Sequence, residues 1–70
     1  MTINKDDYIE GTEHYGHTIR KTRGWVNSVR TDGEYIHYDI QADDNWKGAR
    51  GTILFSKLGK VVKLENKPRP

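Results

Sequence analysis

Residues 24–41 read Gly-Trp-Val-Asn-Ser-Val-Arg-Thr-Asp-Gly-Glu-Tyr-Ile-His-Tyr-Asp-Ile-Gln, and this stretch decides the fold. Trp25, Val26, Val29, Tyr35, Ile36, Tyr38 and Ile40 are β-formers, and they flank Asp32-Gly33, a leading hairpin-turn pair. With Asp32 and Gly33 as a two-residue loop, Thr31 opposes Glu34, Arg30 opposes Tyr35 and Val29 opposes Ile36. Side chains alternate along a strand, so Val29, Ile36, Tyr38 and Ile40 then share one face, which must be the core. Ser28, Arg30, Tyr35, His37 and Asp39 take the other face. A fork remains upstream. Strict alternation sends Trp25 inward and Val26 outward, whereas a bulge near Asn27-Ser28 buries Val26 and exposes Trp25.

On the N-terminal side, Tyr8-Ile9 with Thr12 and Tyr15 suggests a short first strand broken near Gly11. Gly16 and the polar residues around His17 read as a long, irregular connection. Beyond the hairpin, Gln41 to Arg50 is a polar loop that contains Trp46. Gly51 to Ser56 forms a fourth strand through Ile53, Leu54 and Phe55, and Ser56–Gly59 a single tight turn. Lys60 to Leu64 forms a fifth strand through Val61, Val62 and Leu64. No stretch carries a helical apolar stripe. Residues 1–6 and 65–70, the latter with Pro68 and Pro70, read as flexible ends around one domain over 7–64. Five short strands in so small a chain favour a closed or nearly closed barrel, because closure removes exposed edges.

A chain of 70 residues has room for one domain and one modest core. With no cysteines, neither a disulfide nor a thiolate zinc site can brace it, which fits a reducing cytoplasm. No apolar run suffices for a signal peptide or a membrane span, so a soluble, cytoplasmic protein without a membrane partner is expected. The net charge of +2 says little, but its distribution says more. Residues 20–30 carry Arg20, Lys21, Arg23 and Arg30, and residues 47–64 carry Lys47, Arg50, Lys57, Lys60 and Lys63, with no acid in either segment. Asp32, Glu34, Asp39, Asp43 and Asp44 lie between them, and Asp6, Asp7, Glu10 and Glu13 lie near the start. Such segregation can build a surface with one side attractive to polyanions.

Gly24, Val26, Val29 and Asp32-Gly33, followed by Ile36, Tyr38 and Ile40, form the pattern small-x-Val-x-x-apolar-x-x-Asp-Gly and then an alternating strand. This pattern resembles small SH3-like barrels of the Tudor and KOW type, and the resemblance covers most of residues 7–64. It implies an all-β, five-stranded SH3-like barrel whose central hairpin turns at Asp32-Gly33. In the family pattern the Val two residues after the small residue is buried. That favours the bulge and leaves Trp25 at least partly exposed. Barrels of this kind bind RNA, DNA, proline-rich peptides, methylated side chains and partner proteins. A full methyl-reading aromatic cage has no counterpart here, since Tyr38 belongs to the core.

Two constellations carry chemistry. Arg20, Lys21, Arg23, Trp25, Arg30 and Tyr35 interleave cations with aromatics, as phosphate contacts and base stacking require. Lys47, Arg50, Lys57 and Lys60 extend that surface if the fold joins the two basic blocks. Trp46, preceded by Asp43 and Asp44, is the second constellation. An indole in a polar loop must pack or bind, and the acids beside it suit a basic or proline-rich peptide. The expected function is therefore a non-catalytic nucleic-acid-binding module, RNA or DNA. The alternative is a protein-interaction module using Trp46, Trp25 and the acidic loop.

Catalytic motifs are missing: there is no Cys nucleophile, Gly-x-Ser-x-Gly elbow, phosphate-binding glycine loop or His-Glu-x-x-His. No enzyme activity and no cofactor are expected. His14 and His17 lie on an irregular segment and His37 on the hairpin, which leaves no metal site. Asp6-Asp7 and Asp43-Asp44 lack the spacing of a calcium loop.

Overall fold

The computed structural model describes residues 2–48, 53–55 and 59–70. The chain forms strands β1 (Tyr8–Tyr15), β2 (Thr18–Asp32), β3 (Tyr35–Ala42), β4 (Ile53–Phe55) and β5 (Gly59–Lys63). They make one antiparallel sheet in the order β4-β3-β2-β1-β5. The all-β expectation holds. No ladder joins β4 to β5 among the described residues, so the sheet is open in its hydrogen bonding. It is nonetheless curled. In a flat sheet β4 would lie about 14 Å from β1 at about 4.8 Å per strand, yet their Cα atoms come within 8 Å.

β2 is the spine of the sheet, pairing with β1 over its first half and with β3 over its second. Its register shifts between Val26 and Ser28, a bulge at Asn27 that bends the strand. The bulge was one branch of the fork, and Val26 is fully buried as that branch requires. Trp25 is buried too, with 1% of its surface exposed, which corrects the expectation of a partly exposed indole. The reason is that both faces of the sheet are covered here. Ile9, Val26, Tyr38 and Ile40 form the core on the concave face, with Ile3, Ile36 and Val61 packed against them. Trp25 lies on the opposite face beneath Tyr8, their rings tilted 46° with centroids 5.2 Å apart.

The central hairpin turns one residue later than expected. Asp32 pairs with Tyr35, so the loop is Gly33-Glu34. Gly33 has a φ of +63°, whereas Glu34 stays negative. A glycine in the first loop position is the type II′ arrangement, which confines the left-handed residue to glycine; an Asp32-Gly33 loop of type I′ would force Asp32 there as well. Val29 therefore opposes Tyr38, and Thr31 opposes Ile36. Each partner has moved by two residues, so Val29, Ile36, Tyr38 and Ile40 still share a face. Val29 and Ile36 are not directly opposed, however, and Val29, near the end of the hairpin, is 40% exposed.

β1 runs unbroken through Gly11, which pairs with Thr22 on one side and Val61 on the other. The expected long connection is a tight hairpin, Tyr15 pairing with Thr18 around Gly16-His17, with Gly16 at φ +61°. Within residues 65–70, expected as a flexible tail, Lys67 and Arg69 contact the sheet. Trp25 Nε1 donates to Lys67 O at 2.7 Å, and Arg69 Nη2 donates to Val26 O at 2.8 Å. At the other end the Asp6 amide donates to Val26 O at 2.8 Å, and Asp6 adopts φ +73°. Arg50, Lys57 and the Ser56–Gly59 turn (apart from Gly59), with the Gly51, Thr52 and Ser56 parts of the fourth strand, lie outside the described residues.

Candidate functional site

The expected basic-aromatic constellation splits into three parts. Arg30 sits on the outer face at the Gly33 end of the molecule. Its Nε donates to Asp39 Oδ2 at 3.2 Å, and Ser28 Oγ donates to the same oxygen at 2.8 Å. These contacts hold the Asp39 carboxyl below its ordinary range, the serine hydrogen bond contributing most. Tyr35, 40% exposed, stands on the same face at the start of β3. From Arg30 back to Arg20 is some 30 Å of strand path at about 3.3 Å per residue. One compact ligand contact does not span it.

The second part is taken up by contacts within the chain. Arg23 Nε donates to Glu10 Oε2 at 2.7 Å, and its guanidinium lies 3.9 Å above the centre of the Trp46 ring. Glu10 raises the Arg23 pKa further through that hydrogen bond. Trp25 is sealed beneath Tyr8 and Lys67, so it presents no face to a base. Asp43, expected at a peptide-receiving surface, is 3% exposed. Its Oδ2 accepts from Tyr8 Oη at 2.6 Å and from Lys67 Nζ at 2.7 Å, while Oδ1 accepts from the Asn45 amide at 3.0 Å. The lysine hydrogen bond, then that of Tyr8, lowers the Asp43 pKa to about 2. Burial, reinforced by Asp43, pushes the Tyr8 phenol up, and Asp43 raises Lys67. Asp44 is exposed and Trp46 half-buried. Trp46 Nε1 is buried without a hydrogen-bond partner among the described residues.

The third part is a surface groove. β3 ends at Ala42 opposite Gly24, but β2 extends beyond that point to Thr18. The turn after β3 follows β2 part of the way. The Asp43 amide donates to Arg23 O at 2.9 Å, and Gly48 lies so close to Lys21 O that an added Cβ would come within 2.6 Å. The space between is a groove of about 670 Å³ lined by Tyr15, Thr18, Ile19, Arg20, Lys21, Lys47 and Gly48. Tyr15 and Ile19 are 43% and 59% exposed. Lys21 and Lys47 are exposed, and Arg20 is half-buried across the ladder from the buried Glu13. Two basic segments far apart in sequence thus meet through Arg20, Lys21 and Lys47. Tyr15 and Ile19 were absent from the expected site. Their signal was Tyr-Gly-His-Thr-Ile, β-formers flanking a Gly-x loop, which is itself a hairpin signature.

No group of three or more His, Cys, Asp and Glu residues suited to a metal ion occurs among the described residues. No family model, curated protein or solved structure matches the chain.

Proposed function

We propose that the chain is a non-catalytic, cytoplasmic module that binds single-stranded nucleic acid, RNA or DNA, in the groove beside the β1–β2 hairpin. The observation that carries this reading is the meeting of Arg20, Lys21 and Lys47 around the exposed Tyr15 and Ile19. Cations attract phosphates by charge, and an exposed phenol ring offers a stacking face that any base can use. Unpaired bases are required, because a stacked duplex hides its faces. The curl of the sheet, with β4 returning to β1, supports an SH3-like barrel as the finer description of the fold. The bent, bulged β2 shared by both halves supports it too.

The test is fluorescence anisotropy with short single-stranded oligonucleotides across a salt series. Phosphate contacts from the two exposed lysines, Lys21 and Lys47, give a log–log slope of about −1.4, at roughly 0.7 per contact on single strands. Affinity that is flat with salt would remove the phosphate contacts and this reading with them.

A further inference from the structure

The face opposite the core holds a second site, whose residues do not line the groove. Residues 67–69, Lys-Pro-Arg, lie across it as an extended segment with both charged side chains turned toward the sheet. Lys67 enters a socket made by other parts of the chain. Its Nζ donates to buried Asp43 and stands 5.3 Å from the Tyr8 ring centre and 5.8 Å from that of Trp25. Its backbone carbonyl accepts from the buried Trp25 indole at 2.7 Å. Arg69 fills a second socket two residues on. Nη1 donates to Asn27 Oδ1 and Gln41 Oε1 at 2.9 Å each, and Nη2 to Val26 O and Asp6 Oδ1 at 2.8 Å each. Nε also donates to Asp6 Oδ1 at 3.2 Å.

We propose that this face is a peptide-binding site for extended segments bearing Lys and Arg two residues apart, and that the chain's own Lys67 and Arg69 occupy it in the unbound protein. Three observations support the assignment. The socket residues come from β1, β2, β3 and their flanking turns, so the receptor is built without the segment that fills it. Asp43 and the Trp25 indole are buried and take a cation and a carbonyl from that segment. With Lys67 withdrawn, Asp43 Oδ2 and the Trp25 indole lose a cation and a carbonyl, which another Lys-bearing segment restores. Finally, the held segment contributes no apolar anchor: Pro68 and Pro70 are exposed, and Lys67 keeps 44% of its side chain in solvent. Recognition is by charge and backbone, the mode of a displaceable peptide. The alternation of side chains in an extended segment sets the Lys-x-Arg spacing.

The experiment uses the full chain carrying Lys67→Ala and Arg69→Ala, titrated with a synthetic peptide of residues 64–70 and followed by the Trp25 indole N–H resonance. Saturable binding is expected, with that resonance moving toward its position in the unaltered protein. A peptide with Lys and Arg made adjacent should bind about tenfold more weakly or worse, since it cannot fill both sockets and the energy of such a contact sits in a few anchors. The unaltered chain should also bind the peptide at least about tenfold more weakly, because its tethered competitor acts at millimolar effective concentration. No saturable shift at Trp25 in the folded double variant, or equal affinity for the two peptides, overturns the proposal. Should the double variant unfold, excess peptide added to the unaltered chain decides. Exchange broadening at Trp25 supports the site, and an unchanged resonance sinks it. Lys21 and Lys47 take no part, so the nucleic-acid reading stands or falls separately.

Discussion

Tyr8 Oη donates to Asp43 Oδ2 across 2.6 Å, tying the start of β1 to the residue just past β3. The same oxygen takes Lys67, so one carboxylate joins three distant parts of the chain. Its folded pKa is about 2, against an ordinary 3.8. A depressed pKa stabilises the fold fully above the unfolded value and is lost as pH falls through the folded one. Stability should therefore decline between about pH 4 and pH 2, and Asp43→Asn should flatten that decline. Urea midpoints at stepped pH measure it; an acid limb unchanged in Asp43→Asn would assign the loss to other carboxylates. Tyr8→Phe should cost about 1.5–3 kcal/mol, the range for a hydrogen bond to a charged group.

Gly33 and Gly24 are needed for different reasons, which substitutions separate. At Gly33 an added Cβ meets nothing within 4 Å, but φ is +63°. Gly33→Val should cost about 1–2 kcal/mol from backbone conformation alone, and Gly33→Asn clearly less. At Gly24 the Cβ would lie 2.3 Å from Gln41 O on the neighbouring strand. Gly24→Ala must part β2 from β3 and should cost about 3 kcal/mol or more. Thermal melts rank the three, and a Gly33→Val protein as stable as its parent would mean the turn lies elsewhere.

In the groove, cations and aromatic should fail differently. Lys21→Ala and Lys47→Ala should each reduce the salt slope of oligonucleotide binding by about 0.7. Tyr15→Ala should cost about 1–3 kcal/mol of affinity while leaving the slope unchanged. Arg30→Ala, already paired with Asp39 at the other end of β2, should change neither. Equal losses from Arg30→Ala and Lys21→Ala would point to diffuse attraction and not to this groove.

The central strands were legible because turn chemistry and alternation are local signals, and Gly33 set the hairpin. The bulge was not: strict alternation sent Val26 outward, and only the resemblance to SH3-like barrels favoured the bulge that buries it. Whether Trp25 was inside or outside was not legible, because what covers it is Lys67, forty-two residues away. The roles of Arg23 and Asp43 were hidden for the same reason. A charge reads as surface until its partner is placed, and Glu10, Trp46, Tyr8 and Lys67 were placed only by the fold. The groove was half legible: Arg20, Lys21 and Lys47 stood out as cations, whereas Tyr15 and Ile19 were masked by the polar residues around Gly16.

Gly48 offers a test of how the groove wall is held. Its φ lies in the ordinary range, so only space constrains it. An added Cβ would stand 2.2 Å from Trp46 Nε1 and 2.6 Å from Lys21 O. The β2 carbonyl sits in the ladder region, so in Gly48→Ala the indole yields first. Displacing it breaks the stack with Arg23, worth about 0.5–1 kcal/mol at a partly exposed site. It also shifts the neighbouring Lys47. The Trp46 indole resonance should move while that of Trp25 stays, oligonucleotide affinity should fall, and thermal stability should fall too, because the Lys21 carbonyl at 2.6 Å is backbone and must also give. If both indole resonances hold their positions and affinity is unchanged, the turn has slid outward as a unit, and the packing of Gly48 on Trp46 does not shape the groove.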